Sequence, residues 1–92
     1  MASYVKILFV GDMMFDRGIR YYTDKNVDNN FIFAKIHSTL IDNDLVVGNL
    51  EGPITDNPST SITTKPGEPG NYFFTFDKSW AKTLFKNNIK LV

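Results

Sequence analysis

The apolar run at residues 5–10 is the feature that most constrains how this chain can fold. It consists of β-branched, aliphatic and aromatic residues with Lys6 as its one charge, which is typical of a strand buried on both faces of a parallel sheet. The run breaks at Gly11 and is followed by Asp12. Ligands of open α/β sheets bind beyond the carboxyl ends of the strands, so Asp12 is a candidate site residue. The alternative is that Asp12 caps the loop, since Asp is a common turn former.

A second apolar run, at residues 45–48, predicts another buried strand, and it is again followed by polar side chains, here Asn49 and Glu51. Between the two runs, residues 31–41 carry apolar side chains at helical spacing. Strand, helix and strand then form a βαβ unit with parallel strands. Because parallel strands end at the same edge of a sheet, we expect Asp12, Asn49 and Glu51 on one rim.

The last part of the chain predicts an extended aromatic segment, a helix and a third strand. Residues 72–76 are rich in aromatic side chains, and Asp77 is suited to cap a helix over about 78–87. Residues 89–92 begin the third strand. A complete domain rarely ends on a buried-type strand, so we interpret residues 1–92 as the N-terminal portion of one domain, without an internal boundary.

The predicted helix near the C-terminus has an apolar stripe of its own. Trp80, Ala81, Leu84 and Phe85 fall at helical spacing on one face. Aromatic stripes of this kind are more often part of a core than a platform for a ligand. We therefore expect this face to be buried.

Composition excludes several classes of function. Ten basic and ten acidic residues give a formal net charge of zero, without the basic footprint of a nucleic-acid-binding or membrane-surface protein. The chain has no cysteine, which excludes disulfides, thiolate metal sites and cysteine nucleophiles. No apolar run approaches the ~20 residues of a membrane helix, and the first residues show no signal-peptide pattern.

The predicted rim offers hard ligands. Asp12, Asn49 and Glu51 supply carboxylate and amide oxygens, which suit Mg²⁺, Mn²⁺ or Ca²⁺ better than softer metals. Metal-dependent hydrolases of phosphoesters hold their ions with such groups, and the ion polarises the substrate and lowers the pKa of a bound water. The three residues together therefore suggest a site for a divalent cation.

Two other residues have competing interpretations. Asp16 either joins the rim site or pairs with Arg17 or Arg20. His37, the one histidine, lies beside the apolar stripe of the predicted helix and has no second ligand at metal-binding spacing. A structural or solvated His37 is therefore favoured over a metal ligand.

Two segments resemble the signatures of a known family. Residues 11–18 (GDMMFDRG) and 44–55 (DLVVGNLEGPIT) are similar to signature segments of the bacterial capsule synthesis protein CapA family. Proteins of that family are associated with poly-γ-glutamate production and are similar to calcineurin-like metallophosphoesterases. The second segment is long and unusual, which makes the match specific. The order of the other elements agrees over essentially the whole chain.

The resemblance implies a fold and roles for particular residues. The fold is α/β, with βαβ units of a metallophosphoesterase-like layered sandwich, here truncated after the third core strand. Asp12, Asn49 and Glu51 are implied to hold a divalent metal ion, with Asp12 and Glu51 catalytic. Asp16 and Arg17 match the first signature and are implied to contact the substrate. The family's next strand end carries an Asn-Asn-His type motif, which this chain does not reach.

Two functions are consistent with the resemblance. In the first, the intact protein is a metal-dependent hydrolase of a phosphoester or of poly-γ-glutamate, and the 92-residue piece alone is inactive because its site is divided. In the alternative, the protein binds the polymer without hydrolysing it. Other capsule synthesis proteins are implied as partners, and the family suggests the cell envelope.

Overall fold

The computed structural model describes residues 3–24, 29–57 and 75–92. A three-stranded parallel sheet in the order β1-β2-β3 lies at its centre. The elements in chain order are β1 (Ile7–Met13), α1 (Gly18–Asp24), a 3₁₀ helix (Asn29–Phe33), α2 (His37–Ile41), β2 (Leu45–Leu50), α3 (Ser79–Lys86) and β3 (Ile89–Leu91). The predicted α/β class and the parallel pairing of the first two strands are confirmed. No helix within these ranges has the length and apolar character needed to cross a bilayer.

Both β1 and β2 continue through the glycines at which we predicted their ends. β1 runs past Gly11 to Met13, and β2 runs past Gly48 to Leu50. Gly48 is buried beneath the side chains of β1: a Cβ added there would lie 2.6 Å from Met13 Cε and 2.9 Å from Val10 Cγ2. A glycine inside a strand often marks such a close approach rather than the strand's end.

β1 forms one edge of the sheet, and one of its faces is uncovered. Ile7 and Phe9 are 47% and 73% exposed, and their register partners Leu45 and Val47 are half-buried. Val46, on the opposite face of β2, is completely buried. Among the described residues the helices therefore cover one face only, and the expectation that β1 is buried on both faces is wrong.

The core is centred on four aromatic rings. Phe15 stacks on Trp80, with ring centroids 4.0 Å apart and planes 11° from parallel. It also makes edge-on contacts with Phe33 and Phe76, at centroid distances of 6.1 and 5.4 Å. Aromatic pairs of this kind add about 0.5–1.5 kcal/mol each beyond the burial of their surface. The rings thereby join the loop after β1 to the 3₁₀ helix and to the start of α3.

The single helix predicted over residues 31–41 is wrong. The amides of Ala34 and Ile36 donate to the carbonyls three residues earlier, at 3.3 and 3.0 Å, which is the tighter 3₁₀ type of turn. The chain then turns before α2 begins at His37. A 3₁₀ helix has fewer residues per turn than an α-helix, so the apolar side chains of residues 31–41 do not all face the core. Leu40 is buried, while Ile36 is 49% exposed.

The helix predicted after Asp77 is confirmed as α3. The carboxylate of Asp77 accepts a hydrogen bond of 2.8 Å from the Ser79 amide, and hydrogen bonds from Ser79 lower the pKa of Asp77. The predicted stripe is only partly right, because Trp80 and Leu84 are buried whereas Phe85 is 64% exposed.

α3 ends at Lys86 and is followed by two asparagines. Asn88 has a φ of 67°, the left-handed conformation common just after a helix. The extended segment predicted at 72–76 lies mostly outside the described residues. Within them, Phe76 forms an isolated parallel bridge with Ile54.

We expect Gly48→Ala to lower the free energy of unfolding by about 1–3 kcal/mol, the usual range for overpacking a core. The flexible end of Met13 can move aside, but the Val10 methyl, 2.9 Å from the new Cβ, is close to the backbone of β1. Urea unfolding followed by the fluorescence of Trp80, the only tryptophan, measures the change.

Gly11→Ala is the matched control in the neighbouring strand. A Cβ at Gly11 meets no atom within 4 Å, so we expect unchanged or slightly higher stability. Equal losses in the two variants would contradict the close approach at Gly48.

Candidate functional site

Asp12, Asn49 and Glu51 lie together at the rim formed by the ends of β1 and β2. Asp12 and Asn49 are register partners, and Asn49 Nδ2 donates to Asp12 Oδ1 and to Glu51 Oε1, both at 2.8 Å. The Glu51 amide donates to the Met13 carbonyl at 3.0 Å, which fixes the chain just beyond β2. The structure therefore brings the three residues together as the βαβ pattern predicts.

The two carboxyl groups of this rim cluster (Asp12, Asn49 and Glu51) interact directly. A side-chain hydrogen bond with Asp12, together with the negative charge of Asp12, raises the pKa of Glu51 above its ordinary value of 4.5. The hydrogen bond from Asn49 acts in the opposite direction. Two adjacent carboxylates resist being ionised together. A proton or a cation at this point relieves their repulsion.

The rim cluster fits a hard divalent cation in the kind of atoms it offers, but it supplies few of them. Mg²⁺ and Ca²⁺ take about six to eight oxygen ligands. Asn49 turns its NH₂ group toward both carboxylates, so its carboxamide has to rotate before its oxygen can bind an ion. Across residues 3–24, 29–57 and 75–92, no group of three or more His, Cys, Asp or Glu side chains is placed to hold a metal.

Asp16 is buried and makes contacts that stabilise the fold. It is 1% exposed, and its Oδ1 accepts from Arg20 Nε at 2.8 Å and from the Arg17 amide at 2.7 Å. Its Oδ2 accepts from the Thr75 amide at 2.9 Å, across 59 positions of sequence. Of the interpretations open for Asp16, pairing with Arg20 is found. Its predicted contact with substrate stays a prediction.

Arg17 occupies an unusual backbone conformation. Its φ is 55°, in the left-handed region that residues with a side chain seldom adopt. The hydrogen bond from its amide to Asp16 holds this turn at the start of α1. The side chain is exposed, and its predicted role in substrate binding also stays a prediction.

His37 takes part in a hydrogen-bond network away from both signature segments. Its Nδ1 donates to Asn87 Oδ1 at 2.8 Å. Asn87 is 2% exposed, and its Nδ2 donates to the Thr83 carbonyl at 2.8 Å and to Asn30 Oδ1 at 3.2 Å. This contact agrees with the structural interpretation of His37. From the sequence, Asn87 is recognisable only as a residue at the end of a helix. Its neighbours in the sequence do not indicate that its side chain is buried.

We expect Asp12→Asn to return the pKa of Glu51 toward 4.5, because the substitution removes the neighbouring charge that raises it. An NMR titration of the Glu51 carboxyl carbon measures this pKa. The control is Asp42→Asn, which removes an exposed carboxylate paired with Lys6. If the pKa of Glu51 is the same with and without the Asp12 charge, the coupling is absent.

The same coupling gives a direction for stability. Because the folded protein binds the Glu51 proton more tightly than the unfolded chain does, its stabilising effect is complete below about pH 4.5. It is lost as the pH rises through the raised folded pKa. Any cation at the rim cluster competes with this proton. The affinity for a cation is therefore expected to increase as the pH rises from about 4.5 through the raised pKa of Glu51.

We expect Asp16→Asn to lower the free energy of unfolding by about 3 kcal/mol, the lower end for breaking a buried ion pair from one side. The loss arises because Arg20 keeps its charge without the carboxylate. Asp56→Asn is the control, since Asp56 and Lys78 form an ion pair with side chains 74% and 68% exposed, and such pairs contribute about 0–1 kcal/mol. If urea unfolding gives similar losses in the free energy of unfolding for the two variants, the buried ion pair of Asp16 contributes no more to stability than the exposed pair of Asp56.

Comparison with known proteins gives one match. The model of a family described as "Bacterial capsule synthesis protein PGA_cap" matches residues 6–92. The match includes both signature segments and all three strands. Neither the curated proteins nor the solved structures contain a match to this chain.

Proposed function

This chain belongs to the PGA_cap family of bacterial capsule synthesis proteins, and from that premise we propose that its rim cluster is part of the divalent-metal centre of a hydrolase. The proposed substrate is a phosphoester or the γ-amide bond of poly-γ-glutamate. The observation that supports this most is the meeting of Asp12, Asn49 and Glu51 at two parallel strand ends. Mn²⁺, Mg²⁺ and Ca²⁺ are the candidate ions, because every donor is a hard oxygen.

The proposed mechanism gives each rim residue a task. Asp12 and Glu51 would hold the ion through carboxylate oxygens, and Asn49 would do so through its amide oxygen after rotation of the carboxamide. A bound divalent ion would polarise a phosphoryl or carbonyl oxygen and make water a better nucleophile. Glu51, whose pKa Asp12 raises while no ion is bound, would give up its proton to the solvent and act as a ligand. The β1–β2 pairing keeps both carboxylates in place throughout.

The second candidate is a polymer-binding component that performs no hydrolysis. It is supported by the open positions that the described part of the rim cluster leaves, since two carboxylates and one amide fill about half of a hard cation's ligand positions. The carboxylates of poly-γ-glutamate are able to fill those positions. A cation would then bridge the polymer to Asp12 and Glu51 without activating water.

We expect Mn²⁺ to bind the protein, and Asp12→Ala or Glu51→Ala to weaken that binding at least 10-fold, because each removes one of two carboxylate ligands. Paramagnetic resonance of free Mn²⁺ measures the affinity without requiring turnover. Asp42→Ala is the matched control, since Asp42 is an exposed carboxylate that pairs with Lys6. Unchanged Mn²⁺ affinity in both rim variants would show that the rim cluster holds no ion.

A second measurement separates the two functions. Hydrolysis of bis(p-nitrophenyl) phosphate and of poly-γ-glutamate is followed with Mn²⁺ present. Turnover that is lost in Asp12→Ala and Glu51→Ala supports the hydrolase. Mn²⁺-dependent retention of the polymer, with no cleavage of either substrate, supports the binding component.

A further inference from the structure

A groove of about 630 Å³ lies between the start of α2 and the end of α3. It is lined by Asn30, Phe31, Ala34, His37, Lys86 and Asn87. Its volume is within the range of small-molecule sites. No residue of the rim cluster lines it, so its chemistry is independent of the proposed metal centre. We call it the His37 groove.

The polar side of the His37 groove is held by buried contacts. Asn87 is 2% exposed, and it joins His37, Asn30 and the Thr83 carbonyl across three separate elements. Both hydrogens of Asn87 Nδ2 and its Oδ1 are used in these bonds. The His37 ring is thereby oriented through Nδ1, which carries the ring hydrogen in this bond.

The charge of the His37 groove has one sign. Among the described residues that line it, Lys86 is the one with a permanent charge, and none is a carboxylate. Within the described part of the chain, no ion pair involves Lys86. Phe31 is 44% exposed and lies beside the exposed Ala34. The groove therefore combines a cation, an oriented imidazole and an apolar floor.

We propose that the His37 groove binds a small organic carboxylate with an apolar body. The carboxylate pairs with Lys86 Nζ, and the apolar body rests on Phe31 and Ala34 beside the oriented ring of His37. A lysine in the last turn of a helix also interacts favourably with the helix dipole. That interaction accounts for Lys86, but it does not account for the oriented His37 or the open ring of Phe31.

Benzoate is a suitable probe, because it joins one carboxylate to one apolar ring. His37 is the only histidine in the chain, so its imidazole signals in ¹H–¹³C NMR report on the groove alone. We expect benzoate at pH 7 to shift those signals with saturation. Methyl benzoate, a neutral molecule with the same ring and no hydrogen-bond donor, and inorganic phosphate, a charge without an apolar body, are each expected to bind at least 5-fold more weakly.

Lys86→Ala is expected to weaken benzoate binding at least 5-fold. The matched control is Lys82→Ala, which removes an exposed lysine of the same helix that does not line the groove, and it should leave the affinity unchanged. The proposal is overturned by shifts that do not saturate, by equal binding of methyl benzoate or phosphate, or by equal losses in the two lysine variants. None of these results depends on whether the rim cluster binds Mn²⁺.

Discussion

The burial of the Asp16 carboxylate is the constraint on which the rest of the structure depends. An ionised group that is 1% exposed has to be compensated by charge and hydrogen bonds. Arg20 supplies the charge, and the Thr75 amide supplies a bond from a distant part of the sequence. Together these contacts hold the loop after β1 against the segment that leads into α3. Phe15, the residue before Asp16, is then in position to stack on Trp80.

The two aspartates of the first signature have opposite environments and therefore different tasks. Asp12 is exposed at the rim, where Asn49 donates to its carboxylate and to that of Glu51, whereas Asp16 is buried and bound to Arg20. A buried, fully bonded carboxylate fixes the backbone, and two adjacent exposed carboxylates resist being ionised together. The β1–β2 pairing positions Asp12, and contacts outside the sheet position Asp16.

The sequence predicts the presence of the strands and the parallel pairing of the first two better than their ends or their exposure. Apolar runs at 5–10 and 45–48 indicate strands, and parallel pairing then places Asp12 opposite Asn49. Spacing alone does not show that Gly48 lies beneath Val10 and Met13, or that the stretch before α2 forms three-residue turns. The exposure of Phe9 depends on strand order and on what covers the sheet, and neither is a local property. For the same reason the rim cluster is visible in the sequence, while the His37 groove, built from residues 50 or more positions apart, is not.

The formal net charge of zero conceals two regions of opposite character. The rim cluster concentrates two carboxylates, and the described lining of the His37 groove has one lysine and no acid. A whole-chain balance of ten bases and ten acids excludes a broad basic surface. It does not exclude local binding, because the fields of exposed charges are screened within about 8–10 Å at physiological salt. The cation proposed for the rim and the organic anion proposed for the groove therefore depend on their immediate neighbours, and each proposal is tested by single substitutions there.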